Sequence, residues 1–285
     1  MTITFTTATQ VPSSAQVVAV PVSTDAAVPK ELSVSRQTLT AVGFNGKVGQ
    51  THVIAGAKGV VTIAVGIGES TKVSTESLRK SAAALARAAA SFESVATTLA
   101  AVGRLDRKTS AQVVVEGIML ASHRYRALKT VDKDQSKLTT VTLIGASTSA
   151  AAMKAGIVRG QVIANATCTA RDLANMPPAY LTARMIADRA VQIGAETGLK
   201  VEVFNKDQLL AMGCGGMIGV NRGSVEPPRM VRLTYKPSTR KGAKKSSKSH
   251  LVLVGKGVMY DSGGISLKPS NPSHATMKSD MSGAA

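Results

Sequence analysis

The alternation of short apolar segments with longer helical ones is the feature that most constrains the fold of this chain. Strand-like segments begin at Gln16 ("QVVAVPVS"), Gly59 ("GVVTIAVGIG") and Lys137 ("KLTTVTLIGA"). Helical patterns are predicted between them, from Ser74 to Val102 and from Ala111 to Leu128. Such alternation is typical of a sheet whose strands run parallel and whose faces are covered by helices. The sequence therefore predicts an α/β fold with a largely parallel sheet.

The first of these helices has a recognisable start. Ser74 or Thr75 can accept a hydrogen bond from the first free backbone N–H groups, and Glu76 suits the positive end of the helix dipole. Leu78 and Leu85 then recur at helical spacing. We therefore expect a helix N-terminus at Ser74 or Thr75.

A domain boundary is predicted near the middle of the chain. A helical stretch from Ser149 to Leu173 precedes Pro177 and Pro178, which cannot continue a helix. We expect an N-terminal mixed α/β domain at residues 1–165, with a linker helix near its end, and a second α/β domain at residues 166–285. The second domain is predicted to contain a helix (182–197), the strand "LKVEVF", a short helix (206–212), a glycine cluster, and the strands "MVRLTYKP" and "HLVLVGKG".

The charge of the chain raises the question of nucleic acid. The formal net charge is +18, and the densest basic run is "STRKGAKKSSKSH", from Ser238 to His250. Clustered cations release counterions when they bind phosphates, which favours a polyanion surface. However, the chain has no Trp, four Tyr and four Phe, which leaves few rings on which bases could stack. A solvated loop and a polyanion-binding surface both remain open for this run.

Cysteines and hydropathy narrow the class of protein. Cys168 and Cys214 lack CxxC spacing, so neither a disulfide framework nor a cysteine-based zinc site is indicated. No uninterrupted apolar stretch approaches the roughly 18 to 20 residues of a membrane span, and "MTITFTTATQ" lacks the pattern of a signal peptide. We expect a cytoplasmic protein without membrane contact.

Two glycine-containing turns are weak candidates for phosphate binding. "GIGEST", from Gly66 to Thr71, follows a strand and precedes a helix, but it lacks the third glycine of a dinucleotide fingerprint. We interpret it as a tight turn. "GKG" at residues 255–257 lacks the upstream glycine and the following Ser or Thr of a P-loop. Its lysine therefore needs another explanation.

Charged residues cluster after the apolar run "HLVLVGKGV". We expect this run to be a buried parallel strand, and ligands of α/β sheets collect at the carboxyl ends of such strands. Lys256 and Asp261 lie at that end, and Lys268 and Asp280 follow in a loop that contains Pro272. Two divalent ions can share a bridging carboxylate, whereas lysine can join them only as a neutral amine. The pattern favours a metal site over two exposed ion pairs.

These residues carry a family resemblance. "VGKGVMYDSGGISLKP" followed by "MKSDMSGAA" resembles the signature of the leucyl aminopeptidase family, the M17 dinuclear metallopeptidases. Further similar stretches are "VEGIMLASHRYRALK" from Val115, "ARDLANMPPAYLT" from Ala170 and "MGCGGMIGVNRGSVEPPRMVRLTYKP" from Met212. The resemblance covers roughly the second half of the chain. The N-terminal part is similar only in its α/β pattern.

The resemblance implies a role for each residue of the signature. Lys256, Asp261 and Asp280 would be metal ligands, with Asp261 bridging two divalent ions, Mn²⁺ or Zn²⁺. Lys268 would stay cationic and be catalytic, stabilising the oxyanion formed when a metal-bridged water attacks the N-terminal peptide bond. Lys256, Asp261, Lys268 and Met277 would contact substrate, with Met277 lining the pocket for an apolar side chain. Peptide substrates, a bicarbonate and a homo-hexamer of the full-length protein are also implied.

Two departures from the family pattern qualify this expectation. The loop between Lys268 and Asp280 is one residue longer than in many relatives. The chain also stops at Ala285, before the "NTDAEGR" segment that would supply an aspartate, a glutamate and an arginine to the site. We therefore expect residues 166–285 to be the N-terminal portion of a catalytic domain, and the 285-residue chain alone to lack aminopeptidase activity.

Two other functions stay open at this point. One is DNA binding through the basic surface, since some relatives bind DNA; the cations involved would be Arg240, Lys241, Lys244, Lys245 and Lys248. The other is a non-catalytic subunit, against which the intact signature weighs. His274 lies in the site loop, and we expect it to be a loop residue without a metal.

Overall fold

The computed structural model describes residues 3–56, 60–130, 135–237 and 250–285. The chain divides into two compact units, Met1–Cys168 and Thr169–Ala285. The strands of the first unit are β1 (Thr4–Ala8), β2 (Val17–Ser23), β3 (Thr51–Ala55), β4 (Val61–Gly68), β5 (Ser94–Thr97) and β6 (Thr140–Ile144). Its helices are α1 (Arg36–Ala41), α2 (Thr75–Ala88) and α3 (Arg107–Ser122), and α4 (Ala150–Asn175) continues into the second unit.

The strands of the first unit form a six-stranded sheet in the order β1-β6-β5-β2-β4-β3. All neighbours pair in parallel except β3 and β4, which are antiparallel. One face packs Ile63 and Val65 of β4 against Leu78 and Leu85 of α2. The other face packs Val20 and Val22 of β2 against Leu39 of α1. The prediction of an α/β fold with a largely parallel sheet is confirmed.

Helix α2 begins as predicted but is shorter. Ser74 is its N-cap and forms a capping box with Ser77, which confirms the predicted N-terminus. The helix ends at Ala88, so the prediction that it reaches Val102 is wrong. Ser94–Thr97 instead forms β5, which pairs with β2 and β6 inside the sheet. Helical periodicity cannot identify so short an apolar strand in an Ala-rich context, and burial between two strands overrides the helix propensity.

The other predicted helices and strands of the first unit are largely confirmed. The strands predicted from residues 16, 59 and 137 are β2, β4 and β6. Helix α3 begins at Arg107, where Asp106 is the N-cap, and ends at Ser122 instead of Leu128. The helix predicted over residues 149–173 is α4, which ends two residues before Pro177.

The second unit contains α5 (Ala183–Thr197), β7 (Lys200–Phe204), α6 (Lys206–Ala211), α7 (Gly215–Val220) and β8 (Met230–Thr234). Strands β7 and β8 pair in antiparallel. Helices α5 and α6 and strands β7 and β8 confirm the predicted elements, whereas no helix was predicted in the glycine cluster that forms α7. A 3₁₀ segment, Pro272–Met281, follows near the end of the chain.

The prediction of a strand at "HLVLVGKG" is wrong. Residues 250–257 have no strand pairing in the described part of the chain, and the side chains of residues 251–254 are between 74% and 94% exposed. Apolar content favours burial, but a buried strand also needs a hydrogen-bonded neighbour and a covered face. Neither is present among the described residues of this unit.

The remaining sequence predictions concern the basic run, the two cysteines and membrane-spanning helices. The basic run at residues 238–249, with its five predicted DNA-binding cations, lies outside the described residues and stays a prediction. Cys168 and Cys214 are both partly buried, and neither forms a disulfide within the described residues. Within the described ranges, no helix is both long enough and apolar enough to cross a membrane.

Candidate metal centre

A tight turn brings Lys268 back to Asp261. Gly263 adopts a φ of +90°, and a Cβ atom there would lie 2.5 Å from the backbone oxygen of Ser266. The backbone N–H of Lys268 donates to the oxygen of Ser262 at 3.0 Å, which closes the turn. Glycine is suited to this position because side chains rarely tolerate positive φ. The turn therefore brings Asp261 and Lys268, which are seven residues apart in the sequence, into direct contact.

Asp261 and Lys268 form an ion pair inside this turn. The Lys268 Nζ atom lies 2.8 Å from Asp261 Oδ2 and 3.0 Å from the Met277 sulfur. The backbone N–H of Gly263 donates to the other carboxylate oxygen at 3.0 Å. The hydrogen bond from Lys268, followed by that from Gly263, lowers the pKa of Asp261 below its ordinary value, and the charge of Lys256 makes a smaller contribution in the same direction. Asp261 is therefore ionised at neutral pH.

Lys256 and Asp280 form a second ion pair. Lys256 Nζ lies 2.9 Å from Asp280 Oδ1. The other carboxylate oxygen, Oδ2, is buried and has no hydrogen-bond partner among the described residues. A carboxylate oxygen in this state is costly unless a donor or a cation satisfies it. The Oδ2 atom of Asp280 is therefore suited to a hydrogen-bond donor or a cation.

Two glycines bring the backbone beside Lys256 close to the backbone that follows Asp280. A Cβ atom on Gly255 would lie 2.1 Å from the backbone oxygen of Gly283. Only a residue without a side chain allows the two backbones to approach this closely. The contact places the chain that follows Asp280 against the chain next to Lys256.

The 3₁₀ segment that carries Asp280 is anchored at several points. Asn271 caps its start by accepting a hydrogen bond from the backbone of Ser273. Met281 at its end is fully buried. Lys278 Nζ donates to the backbone oxygen of Ala174 at 2.7 Å. This carbonyl lies at the C-terminal end of α4, where a cation also complements the helix dipole.

Two residues of this region were not among the predicted site residues. The hydroxyl oxygen of Tyr260 lies 2.7 Å from His274 Nδ1 and 3.3 Å from the His274 backbone oxygen. The two rings meet edge to face, with centroids 5.5 Å apart. The sequence carried one signal for this contact. Tyr260 is next to the predicted ligand Asp261, and His274 lies six residues before the predicted ligand Asp280.

The structure thus arranges the five predicted site residues in two groups: Lys256 with Asp280, and Asp261 with Lys268 and Met277. Hard divalent cations prefer carboxylate oxygen, and the buried, unpartnered Oδ2 of Asp280 fits such a cation. Within the described ranges, no group of three or more His, Cys, Asp or Glu side chains is close enough to hold a metal ion. The candidate centre therefore consists of two carboxylates and two lysines.

Comparison with known proteins assigns the chain to a family. Residues 22–132 match the family model described as "Cytosol aminopeptidase family, N-terminal domain", and residues 168–285 match "Cytosol aminopeptidase family, catalytic domain". The chain belongs to the cytosol aminopeptidase family. The predicted signature, Gly255–Met281, lies wholly within the catalytic-domain match.

Curated relatives agree with this assignment. The chain is 39% identical over 255 residues to a probable cytosol aminopeptidase of Rhodococcus jostii, an alignment that covers 87% of this chain and 48% of that protein. It is 38% identical over 254 residues to the protein of the same description from Mycobacterium marinum, with 87% and 47% covered. The chain spans about half the length of the curated relatives it matches.

Solved structures share the fold. The bottromycin maturation enzyme BotP, in complex with Mn, superposes with a TM-score of 0.77 at 33% identity, over 95% of this chain and 54% of BotP. A K354E mutant of tomato leucine aminopeptidase superposes with a TM-score of 0.78 over 99% of this chain and 57% of that one. Its identity to this chain is 22%, so this second likeness concerns the fold alone.

Proposed function

We propose that the whole protein is a metal-dependent aminopeptidase, a hydrolase that releases the N-terminal residue of peptides. The observation that carries the proposal is the buried, unpartnered carboxylate oxygen of Asp280, which lies in the segment matched by the catalytic-domain model. Family membership and the Mn present in the BotP structure support the same proposal.

Asp261 and Asp280 would hold two divalent cations, Mn²⁺ or Zn²⁺, with Asp261 between them. Lys256 would join as a neutral amine, since an ammonium group has no free lone pair. Bound divalent cations lower the pKa of water and polarise a carbonyl group. The ionised state of Asp261 at neutral pH suits this role, because a protonated carboxyl group is a poor ligand for a hard cation.

Lys268 would stabilise the charge that develops on the substrate carbonyl oxygen. Its side chain is 37% exposed, so a substrate oxygen can reach the ammonium group. Asp261 and the Gly263–Lys268 turn keep this ammonium in one place before substrate binds. Preorganised charge of this kind is among the largest contributions to catalysis. Met277, in contact with Lys268, would present an apolar surface to the substrate side chain.

Replacement of Lys268 tests this assignment of roles. Lys268→Met removes the ammonium but leaves both carboxylates, so we expect Mn²⁺ affinity within about threefold of the unchanged protein and kcat lower by about 10²–10³-fold. The measurements are titration of free Mn²⁺ by electron paramagnetic resonance and release of leucine from a leucyl amide by the whole protein. Asp188→Asn, an exposed carboxylate on α5, is the control.

The proposal fails if the whole protein releases leucine equally well after exhaustive chelation, or if Lys268→Met has no effect on kcat. Bicarbonate binding and assembly into a homo-hexamer belong to the proposal through family membership alone.

A further inference from the structure

Tyr260 and His274 join the two stretches of chain that carry the proposed carboxylate ligands. Tyr260 immediately precedes Asp261, and His274 lies in the first turn of the 3₁₀ segment that carries Asp280. The phenolic oxygen is within hydrogen-bond distance of two atoms of one residue, the ring nitrogen Nδ1 and the backbone oxygen of His274, and it donates to the backbone oxygen. The edge-to-face ring contact adds a second interaction between the same two side chains.

The chain between these residues is otherwise held by the turn that pairs Asp261 with Lys268 and by the contact of Lys268 Nζ with Met277. Ile265 and Leu267, at the tip of the turn, are exposed, and a Cβ atom on Gly264 would meet no atom within 4 Å. Residues 269–271 connect the turn to the 3₁₀ segment and are largely exposed. The start of the segment is therefore held by a local cap at Asn271 and by the Tyr260–His274 contact.

The far end of the same segment has different anchors. Met281 is buried, and Lys278 binds the last turn of α4. With the far end fixed in this way, the Tyr260–His274 contact at the start of the segment acts together with Lys268 Nζ, which contacts both Asp261 and Met277, to set how the segment lies relative to Asp261. A positional error of about 1 Å in a ligand is enough to impair a metal site, so a contact that fixes this relation affects metal affinity directly.

We infer that Tyr260 and His274 are positioning residues, a clasp that holds Asp280 at the distance from Asp261 that a shared cation site needs. The metal part of this inference rests on the proposed function, whereas the clasp rests on the contacts alone. Neither residue contacts the metal or the substrate in this role. Both act through the backbone that carries the ligands.

Three substitutions separate the parts of the clasp. Tyr260→Phe removes the hydroxyl group and keeps the ring contact. His274→Ala removes the imidazole ring with its Nδ1 atom and keeps the backbone oxygen. His274→Asn keeps an acceptor close to the position of Nδ1, and it serves as the conservative rescue. Matched controls are Tyr235→Phe and His250→Asn, two exposed residues that lie outside the candidate centre.

Amide hydrogen exchange of residues 272–281 and the Kd for Mn²⁺ are measured on the whole protein. We expect Tyr260→Phe and His274→Ala to raise the exchange rate in this segment and to raise the Kd by about tenfold, the lower end of the range for residues that orient metal ligands. We expect His274→Asn to stay within about threefold of the unchanged protein in both measurements. The two controls should leave both unchanged.

The outcomes distinguish the clasp from the proposed function. Unchanged exchange in both Tyr260→Phe and His274→Ala overturns the clasp. Faster exchange with an unchanged Kd overturns the positioning role, because the contact would then be structural only. If the unchanged whole protein does not bind Mn²⁺ at all, the metal centre and the positioning role are both overturned, while the exchange data still show whether the clasp exists.

Discussion

Gly255 is the residue at which the smallest substitution should have the largest effect on the candidate centre. A Cβ atom there would lie 2.1 Å from the Gly283 backbone oxygen, so the two backbones must separate. We expect Gly255→Ala to destabilise the second unit by about 1–3 kcal/mol, the usual cost of overpacking. Because the contact also brings Asp280 to Lys256, we expect weaker Mn²⁺ binding. Thermal denaturation and Mn²⁺ titration measure the two effects.

Gly257→Ala is the matched control for this prediction. A Cβ atom at Gly257 would meet the Ala284 Cβ at 3.4 Å, an ordinary van der Waals contact. We expect this variant to unfold and bind Mn²⁺ like the unchanged chain. Equal behaviour of the two alanine variants would show that the Gly255–Gly283 approach is unimportant.

The sequence predicted a cluster of charged residues after an apolar run, but it did not predict the contacts within that cluster. The assignment of Lys256, Asp261, Lys268 and Asp280 to a site came from their spacing and from the family resemblance, and their roles stay a prediction. Their pairing was not identifiable, because it depends on the turn at Gly263 and on a backbone contact between distant glycines. Gly255 in particular lies against another part of the backbone, at Gly283.

At the scale of helices and strands, a helix was predicted correctly where the sequence contains a local signal for its start or its end. Helix α4 was predictable because Pro177 and Pro178 exclude helix beyond it, and α5 because Thr182 caps its start. The segment after Ala88 carries no such signal, so β5 was taken as helix. The error at residues 251–254 has another cause. The apolar content of a segment indicates the free energy that burial would contribute. Whether a neighbouring strand is available to pair with the segment depends on the tertiary structure.

The β7–β8 pair should respond to acid through one cross-strand ion pair. Glu202 lies opposite Arg232 and accepts hydrogen bonds from its Nε at 2.9 Å and Nη2 at 2.7 Å. The hydrogen bond from Arg232 lowers the pKa of Glu202, and the nearby Lys200 lowers it further. A carboxyl group with a lowered pKa in the folded state stabilises the fold above the unfolded pKa of about 4.3. This contribution is lost as the pH falls through the folded pKa.

We therefore expect amide exchange in β7 and β8 to accelerate, relative to the intrinsic rate, between pH 6 and pH 3. Glu202→Gln should remove most of this pH dependence, because glutamine does not titrate. Asp188→Asn on α5 is the control and should keep it. Exchange protection that falls equally in Glu202→Gln and in the unchanged chain would exclude the ion pair as its source.

Across the whole molecule, the two units bury their apolar residues to different degrees. In the first unit, β2, β4 and α2 contribute a contiguous core of fully buried side chains. In the second unit, residues 251–254 and the tip residues Ile265 and Leu267 expose large apolar side chains. Local stability follows the density of buried contacts, so the two units should differ in how easily they open.

Limited chymotrypsin digestion tests this difference, since the enzyme cuts after large apolar residues and residues 238–249 contain none of its preferred sites. Cleavage requires about ten residues of backbone to enter an extended conformation, which exposed segments reach at low cost. We expect the first cuts at Tyr235, Leu251, Leu253 and Leu267, with Leu78 and Leu85 protected because they are fully buried. Replacing Leu251 and Leu253 with Ser should remove two of the early cuts and leave the order of the others unchanged. First cuts within α2, before any cut between residues 251 and 267, would contradict the stability order inferred from burial.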